Sequence, residues 1–314
     1  MSYTYGESPL TPCSLSQPLY TYLFGGRISY SLSPLINAIL FKAAGASWSY
    51  DLCETTDAKR FLHTLKQSIC IGASVTMPNK VAFMPLLDDT TEEARCIGAI
   101  NTVFIRLDHQ GRRRYIGTNT DCIGVRDTLL SASPGLARDA ENQPALVVGA
   151  GGAARSAIYA LWKWFRPSEI YLVNRLKTEV NDLIRSIQKT MPGARLRHLE
   201  NVDDAHAAPT PFIVIGTVPN DIPRDAGELQ AWQICEACLQ GKSRGAAVLD
   251  MCYQPARTRL LDLAEANSWS IMPGTEVLVR VAAAQQTLWL EQEPKPEDVD
   301  KALRAVRQSN SGKL

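Results

Sequence analysis

Ala145-Leu146-Val147-Val148-Gly149-Ala150-Gly151-Gly152-Ala153-Ala154-Arg155 is the stretch whose reading decides the fold. An apolar run breaks at once into glycines. Ser156-Ala157-Ile158-Tyr159-Ala160-Leu161-Trp162 then supplies helix formers with apolar residues three and four apart, so strand, tight turn and helix are expected in that order. Gly149 makes the bend, and Gly151 lets backbone N–H groups approach an anion. Ala154, standing where a third glycine is usual, still permits close packing of helix on strand. The helix N-terminus faces the anion, with Gly149, Ala150, Gly151, Gly152 and Ala153 nearest to it.

Glycines also make ordinary turns, so the context has to decide. A second apolar run, Glu169-Ile170-Tyr171-Leu172-Val173, follows the helix and ends at Asn174-Arg175. That is roughly 20 residues on, where the residue that reads an adenosine ribose belongs. The segment therefore predicts a Rossmann-type, doubly wound α/β unit that binds a dinucleotide.

With 314 residues the chain exceeds the ~100–200 typical of one domain, so two are expected. Apolar residues make up 45% and the net charge is +1, which suits a globular protein with a sizeable core. The charge balance argues against a nucleic-acid or membrane-surface partner. No apolar run approaches the ~20 residues of a membrane span, and the N-terminus lacks a basic-then-apolar signal, so a cytoplasmic location is expected. The eight cysteines are scattered singly apart from Cys235-Glu236-Ala237-Cys238, and His63, His109, His198 and His206 lie far apart. No metal site is expected from that spacing; the cysteines read as small buried hydrophobes.

Residues 1 to about 18 show little periodicity and are expected to form a loose tail. Tyr20 to Phe24 reads as a first strand turned by Gly25-Gly26. In Ser29-Tyr30-Ser31-Leu32-Ser33-Pro34 a helix opens at the proline. There Ser33 serves as a simple cap, or Ser31 and Ser33 together present hydroxyls to an oxygen-rich ligand. Later, Val75-Thr76-Met77-Pro78-Asn79-Lys80 ends a strand and places Lys80 in a first helical turn, which the helix dipole disfavours for a cation. Gly98-Ala99-Ile100-Asn101-Thr102 precedes a strand, a hairpin tip spans 106–114, and the return strand runs into Asn119-Thr120-Asp121. Asp121 there can simply cap the next helix. Trp162, Trp164, Trp232 and Trp289, at helical spacing from other apolar residues, are expected in the core.

These segments, in this order, closely resemble the shikimate and quinate dehydrogenase family from about Phe24 to Trp289. The likeness rests on Ser31-Leu32-Ser33-Pro34, Val75 to Lys80, Gly98 to Thr102, Asn119-Thr120-Asp121 followed by Gly124, the Gly149 turn, and Asp250-Met251-Cys252-Tyr253-Gln254-Pro255. It implies a substrate-binding, catalytic domain over 1–124, completed by C-terminal helices over 277–314, and a Rossmann NAD(P)-binding domain over 125–276. It implies that Lys80 and Asp121 are the catalytic pair, and that Ser31, Ser33, Thr76, Asn101 and Tyr253 line the substrate site. It also places Thr217, at a strand end beside the nicotinamide, and Gly274 in the cofactor site. The reaction implied is NAD(P)-dependent oxidation or reduction of a hydroxyl on shikimate or quinate, without a metal, by a monomer or homodimer.

Two features bear on cofactor and substrate. Asn174-Arg175-Leu176-Lys177 offers Asn174 and two cations, Arg175 and Lys177, at the ribose-reading position, which favours NADP over NAD. The family's NADP-type pattern has threonine where Leu176 stands, which keeps NAD open. Val281 occupies the position of a substrate-contacting glutamine, and Gln285, one helical turn on, is the candidate replacement. These departures set a second function beside the first: a catalytically weak relative that senses the same metabolite or binds a regulatory partner.

Overall fold

The computed structural model describes residues 5–241 and 246–311. The chain forms two compact units, residues 1–120 with 278–314, and residues 121–277.

The first unit begins with β1 (Tyr20–Gly25), α1 (Ser33–Ala43), β2 (Ser49–Glu54), α2 (Ala58–Leu65) and β3 (Cys70–Val75). It continues through α3 (Asn79–Ala82), β4 (Asp89–Thr90), α4 (Glu92–Ile97), β5 (Thr102–Leu107) and β6 (Arg113–Thr118). The sheet order is β2-β1-β3-β5-β6-β4. β2, β1 and β3 run parallel, while the β5–β6 hairpin sets β5 antiparallel to β3. Side chains alternate between the two faces. Phe24, Val75, Val103 and Tyr115 pack on one face with Phe61 and Leu65 of α2 and Ala94 of α4. Leu23, Phe104 and Ile116 pack on the other with Phe41 of α1 and the C-terminal Trp289. Thr91 caps α4 by accepting from Ala94 N at 3.3 Å, and Gly98 ends it at φ 71°.

The second unit holds α5 (Asp121–Ala132), α6 (Leu136–Ala140), β7 (Ala145–Val148), α7 (Gly152–Ala160) and β8 (Ile170–Val173). Then come α8 (Lys177–Thr190), β9 (Leu196–His198), α9 (Val202–Ala207), β10 (Ile213–Gly216) and α10 (Ala226–Gln240). It closes with β11 (Ala247–Asp250), α11 (Arg259–Ala266), β12 (Ser270–Met272) and the start of α12 (Gly274–Trp289); α13 (Pro296–Ser311) returns to the first unit. The strand order is β12-β11-β10-β7-β8-β9, and every pair is parallel. This is the doubly wound order of a Rossmann sheet, reversing between β7 and β10. β7, β8, β10 and β11 are buried along their whole length, as strands covered on both faces must be. Among the described residues, no helix is long and apolar enough to cross a membrane.

Three expectations need correction. The N-terminal residues from Tyr5 onward are packed, not loose: Tyr5 meets Phe104 edge-on at 6.0 Å, Glu7 pairs with Leu107, and Ser14 O accepts from Trp48 Nε1 at 2.8 Å. The first four residues of that expected tail lie outside the described ones. Of the four tryptophans expected in the core only Trp289 is buried; Trp162, Trp164 and Trp232 are half-buried under Lys163, Arg126 and Arg259 respectively. The cations lie 4.9, 5.9 and 4.5 Å from the ring centroids of Trp164, Trp162 and Trp232, within reach of cation–π attraction. Finally, Ser33 does not cap α1 from outside: it is the first helical residue, and Ser31 Oγ accepts from its N–H at 3.2 Å.

Candidate active site

The topology of the first unit brings the quoted motifs to one edge of its sheet. Parallel strands β1 and β3 end at Gly25 and Val75, β5 starts at Thr102, and β6 ends at Thr118, with Ser74 opposite Thr102 and Thr102 opposite Thr118. Ser31 and Ser33 follow the first of these ends and Thr76 to Lys80 the second. Asn101 precedes β5, and Asn119-Thr120 leads from β6 into Asp121. In open α/β sheets, ligands gather outside the carboxyl ends of the strands.

Hydrogen bonds lock these pieces together. Thr76 N donates to Phe24 O at 2.8 Å and Gly26 N to Met77 O at 3.0 Å. Asn79, buried, donates through Nδ2 to Thr55 O at 2.8 Å, and Lys80 O accepts from Ile100 N at 2.9 Å. Asn101 N donates to Thr118 O at 3.0 Å, and its carbonyl accepts from Val75 N at 2.7 Å. The side-chain Oδ1 of Asn101 accepts from Thr120 N at 2.6 Å, from Thr102 Oγ1 at 2.8 Å and from Thr120 Oγ1 at 3.1 Å. A backbone N–H can only donate, so the amide orientation is fixed, and Asn101 can serve a ligand only through its Nδ2 donors. Lys80 thus sits at one end of a bonded cluster whose other end, Thr120, continues directly into Asp121. α3 has only four residues, so the dipole argument about Lys80 carries no weight.

Gln285 is buried and donates from Nε2 to Thr102 Oγ1 at 3.0 Å. It therefore braces Asn101 through Thr102, a link that sequence spacing does not reveal. Val281 is also buried. Thr102 and Thr120 were not singled out from sequence; both are buried and join 2.9 Å apart. Their signal was available only as neighbours of Asn101 and Asp121.

In the second unit the glycine turn lies at the topological switch between β7 and β10. Gly149 has φ +120°, and a Cβ on it would meet Thr217 Oγ1 at 2.3 Å. Thr217 is itself fixed to Val148 O through its hydroxyl at 2.7 Å and its N–H at 3.0 Å. Gly151 is the opposite case: nothing lies within 4 Å of an added Cβ. No side chain caps α7, whose first turn, Gly152 and Ala153 included, follows Ala150 and Gly151. Open space before an uncapped helix start, whose first N–H groups lack helical partners, fits a pyrophosphate.

Arg175 and Lys177 lie beside one another after β8, but each has a carboxylate partner: Arg175 Nη1 to Glu228 Oε1 and Lys177 Nζ to Glu200 Oε2, both at 2.7 Å. Asn174 Nδ2 is engaged by Glu179 at 2.8 Å and by Leu176 O at 3.1 Å. Tyr253 lies on the loop after β11. Asp250 ties that loop down, its Oδ2 accepting from Thr258 Oγ1 at 2.7 Å and its Oδ1 from Cys252 N at 3.0 Å. Burial pushes the Asp250 carboxyl above its ordinary range, opposed by those two bonds. The start of α12 is pressed against the same loop, since a Cβ on Gly274 would lie 2.5–2.7 Å from the carbonyls of residues 250–252. Packing alone accounts for that glycine.

A unit with a Rossmann sheet and an open glycine turn, and a second α/β unit whose sheet edge gathers a lysine, an amide and hydroxyls, define a two-unit α/β protein of the dinucleotide-binding class. The family model of the shikimate dehydrogenase substrate binding domain matches residues 23–103. A quinate dehydrogenase from Emericella nidulans is 37% identical over 286 residues, 85% of this chain and 86% of that protein. The dehydroquinate dehydratase and shikimate dehydrogenase from S. pombe AroM is similar in structure, with TM-score 0.76 and 29% identity over 92% of this chain; the chain spans about half of it, 53%. Shikimate 5-dehydrogenase from Thermus thermophilus, solved in complex with NADP(H) and shikimate, gives TM-score 0.70 and 26% identity over 92% of this chain and 99% of that one. The chain belongs to the shikimate and quinate dehydrogenase family.

Proposed function

We propose that the chain is a nicotinamide-dinucleotide-dependent dehydrogenase that interconverts a secondary hydroxyl of shikimate or quinate with the ketone of 3-dehydroshikimate or 3-dehydroquinate. The observation that carries the reading is the bonded sheet edge that fixes Lys80, Thr76 and Asn101 and leads into Asp121. Family membership supports it, as do the ligands of the Thermus thermophilus relative.

A bound nicotinamide supplies the hydride acceptor or donor; the rest falls to side chains. Lys80 takes the hydroxyl proton in oxidation and returns it to the carbonyl oxygen in reduction, so its Nζ has to lie within ~3 Å of that oxygen. Asp121 accepts a hydrogen bond from a ring hydroxyl and holds it in register. Asn101 donates to ring oxygen through Nδ2, and Ser31 and Ser33 donate to the carboxylate, with Thr76 and Tyr253 completing the set. A site built of such groups rejects ring acids that lack the matching hydroxyls, because its own donors would be left unpaired. Residues 1–124 with 277–314 would hold the ring acid, and 125–276 the dinucleotide, through the Gly149 turn.

The test is nicotinamide absorbance with shikimate or quinate and with NAD or NADP, for the wild type and Lys80→Ala. The wild type should turn over at least one ring acid. The variant should lose ~10²–10⁴-fold in rate while still binding dinucleotide. A wild type that binds the ring acid without turnover would instead support a metabolite sensor.

A further inference from the structure

We propose that Glu228 makes the dinucleotide site select NAD over NADP, by giving Arg175 an internal carboxylate in the place a 2′-phosphate would otherwise fill. The inference rests on the dinucleotide-binding reading above and specifies its ligand.

α10 is built to present this carboxylate. Asp225 caps the helix, accepting from Glu228 N at 2.8 Å, so the first turn is fixed. Gly227 lets that turn approach the backbone of Arg175: an added Cβ would lie 2.9 Å from Arg175 O. Glu228 then bonds Arg175 Nη1 through Oε1 at 2.7 Å and accepts from Arg224 N through Oε2 at 2.8 Å. With both oxygens held, the carboxylate is positioned rather than merely nearby. The bond from Arg224 N, and next the bond from Arg175, hold it below the ordinary glutamate range, so it stays ionised at neutral pH.

The second cation offers no escape. Lys177 is bonded to Glu200, which also lies 3.9 Å from His198 Nδ1. Arg175 and Lys177 are thus each matched by one carboxylate. A dianionic 2′-phosphate bonded to the same guanidinium would lie beside the Glu228 charge and compete with it for Nη1. A neutral ribose 2′-hydroxyl meets no such repulsion and can donate to a carboxylate. Leu176, standing between the two cations and exposed, supplies no hydroxyl for a phosphate. The sequence carries two positive side chains here; the structure adds their partners, one of them 53 residues away.

The test is calorimetric titration of NAD and of NADP, with no ring acid present, into the whole chain as wild type, Glu228→Gln and Arg175→Ala/Glu228→Gln. Glutamine keeps the shape, removes the charge and still offers one oxygen to Arg224 N, while the Asp225 cap bonds only the backbone N–H of residue 228. A thermal melt of each variant confirms that it is folded. The wild type should bind NAD at least about tenfold more tightly than NADP. Glu228→Gln should cut that ratio about tenfold by tightening NADP, as expected for freeing one charge-assisted bond. The double variant should lose the gain. A wild type that prefers NADP, or a folded Glu228→Gln whose NADP affinity is unchanged, overturns the assignment of Glu228 while leaving dinucleotide binding intact. A folded wild type that binds neither nucleotide refutes the dinucleotide reading itself, and the inference with it.

Discussion

Substituting alanine at Gly149 and at Gly151 separates the part of the glycine turn that makes the fold from the part that makes room for a ligand. At Gly149 the backbone has φ +120°, a region side chains rarely adopt, and the new methyl would lie 2.3 Å from Thr217 Oγ1 and 3.0 Å from Val218 Cγ1. The strain is about 1–3 kcal/mol. Overpacking adds about 1–3 kcal/mol more, because Thr217 is pinned to Val148 O and cannot simply turn away. Against a typical total stability of about 5–15 kcal/mol, a loss of about 2–6 kcal/mol is large. At Gly151 the backbone, φ −82° and ψ −167°, is extended and open to any residue, and the methyl would touch nothing. Gly151→Ala should therefore match the wild type in stability, or gain about 0.4–1 kcal/mol from a stiffer unfolded chain. It should nonetheless bind dinucleotide at least about tenfold more weakly, because the methyl stands where backbone N–H groups must approach the pyrophosphate. Urea unfolding followed by fluorescence titration with reduced dinucleotide measures both quantities. A Gly151→Ala protein that binds like the wild type, or a Gly149→Ala protein that is equally stable, would refute the reasoning.

Thr102→Val removes the hydroxyl that joins Gln285, Asn101 and Thr120; it should cost about 2 kcal/mol in urea unfolding and slow turnover without changing dinucleotide affinity. Unchanged turnover would mean that Asn101 needs no such brace. Asp250 has its folded-state pKa raised by burial, so its contribution to stability is full below the unfolded value, about 4, and is lost as pH rises through the folded value. Asp250→Asn should accordingly gain on the wild type as pH rises from about 4 toward neutrality; a pH-independent difference between their urea midpoints would count against it. Arg106, almost fully buried, donates to Ile105 O at 2.5 Å and Leu288 O at 3.2 Å and lies 3.3 Å from Glu291. Arg106→Ala should destabilise by about 3–5 kcal/mol because a buried guanidinium is lost together with its bonds to Ile105 O and Leu288 O and its ion pair with Glu291, and a loss below about 1 kcal/mol in the same assay would show that the pair is idle.

The Rossmann unit was legible from one stretch because its signals are local: a buried apolar strand, a turn that needs glycine, and an uncapped helix all lie within Ala145–Trp162. The sheet edge of the first unit was legible as a set of motifs but not as a place, since only the parallel and antiparallel pairing of β1, β3, β5 and β6 brings their ends together. What sequence could not supply were partners far along the chain. Thr102 and Gln285 are 183 positions apart, so nothing in the spacing announces that Gln285 braces Asn101. The two cations after β8 looked available for a phosphate because their carboxylates come from residues 200 and 228, on other segments. The N-terminal residues looked loose because Tyr5 and Ser14 find their partners, Phe104 and Trp48, only once the sheet has formed. Half-buried tryptophans under cations carry the same apolar spacing as core ones, and periodicity does not distinguish them.

Hydride transfer from the ring is the claim on which the account stands, and isotope tracing addresses it directly. Shikimate or quinate carrying deuterium on the carbon whose hydroxyl becomes the ketone is incubated with the protein and oxidised dinucleotide, and the nucleotide is then examined by mass spectrometry. The account predicts reduced dinucleotide one mass unit heavier, formed by the wild type and not by Lys80→Ala. Reduced dinucleotide without the label, or none with either ring acid, would contradict it.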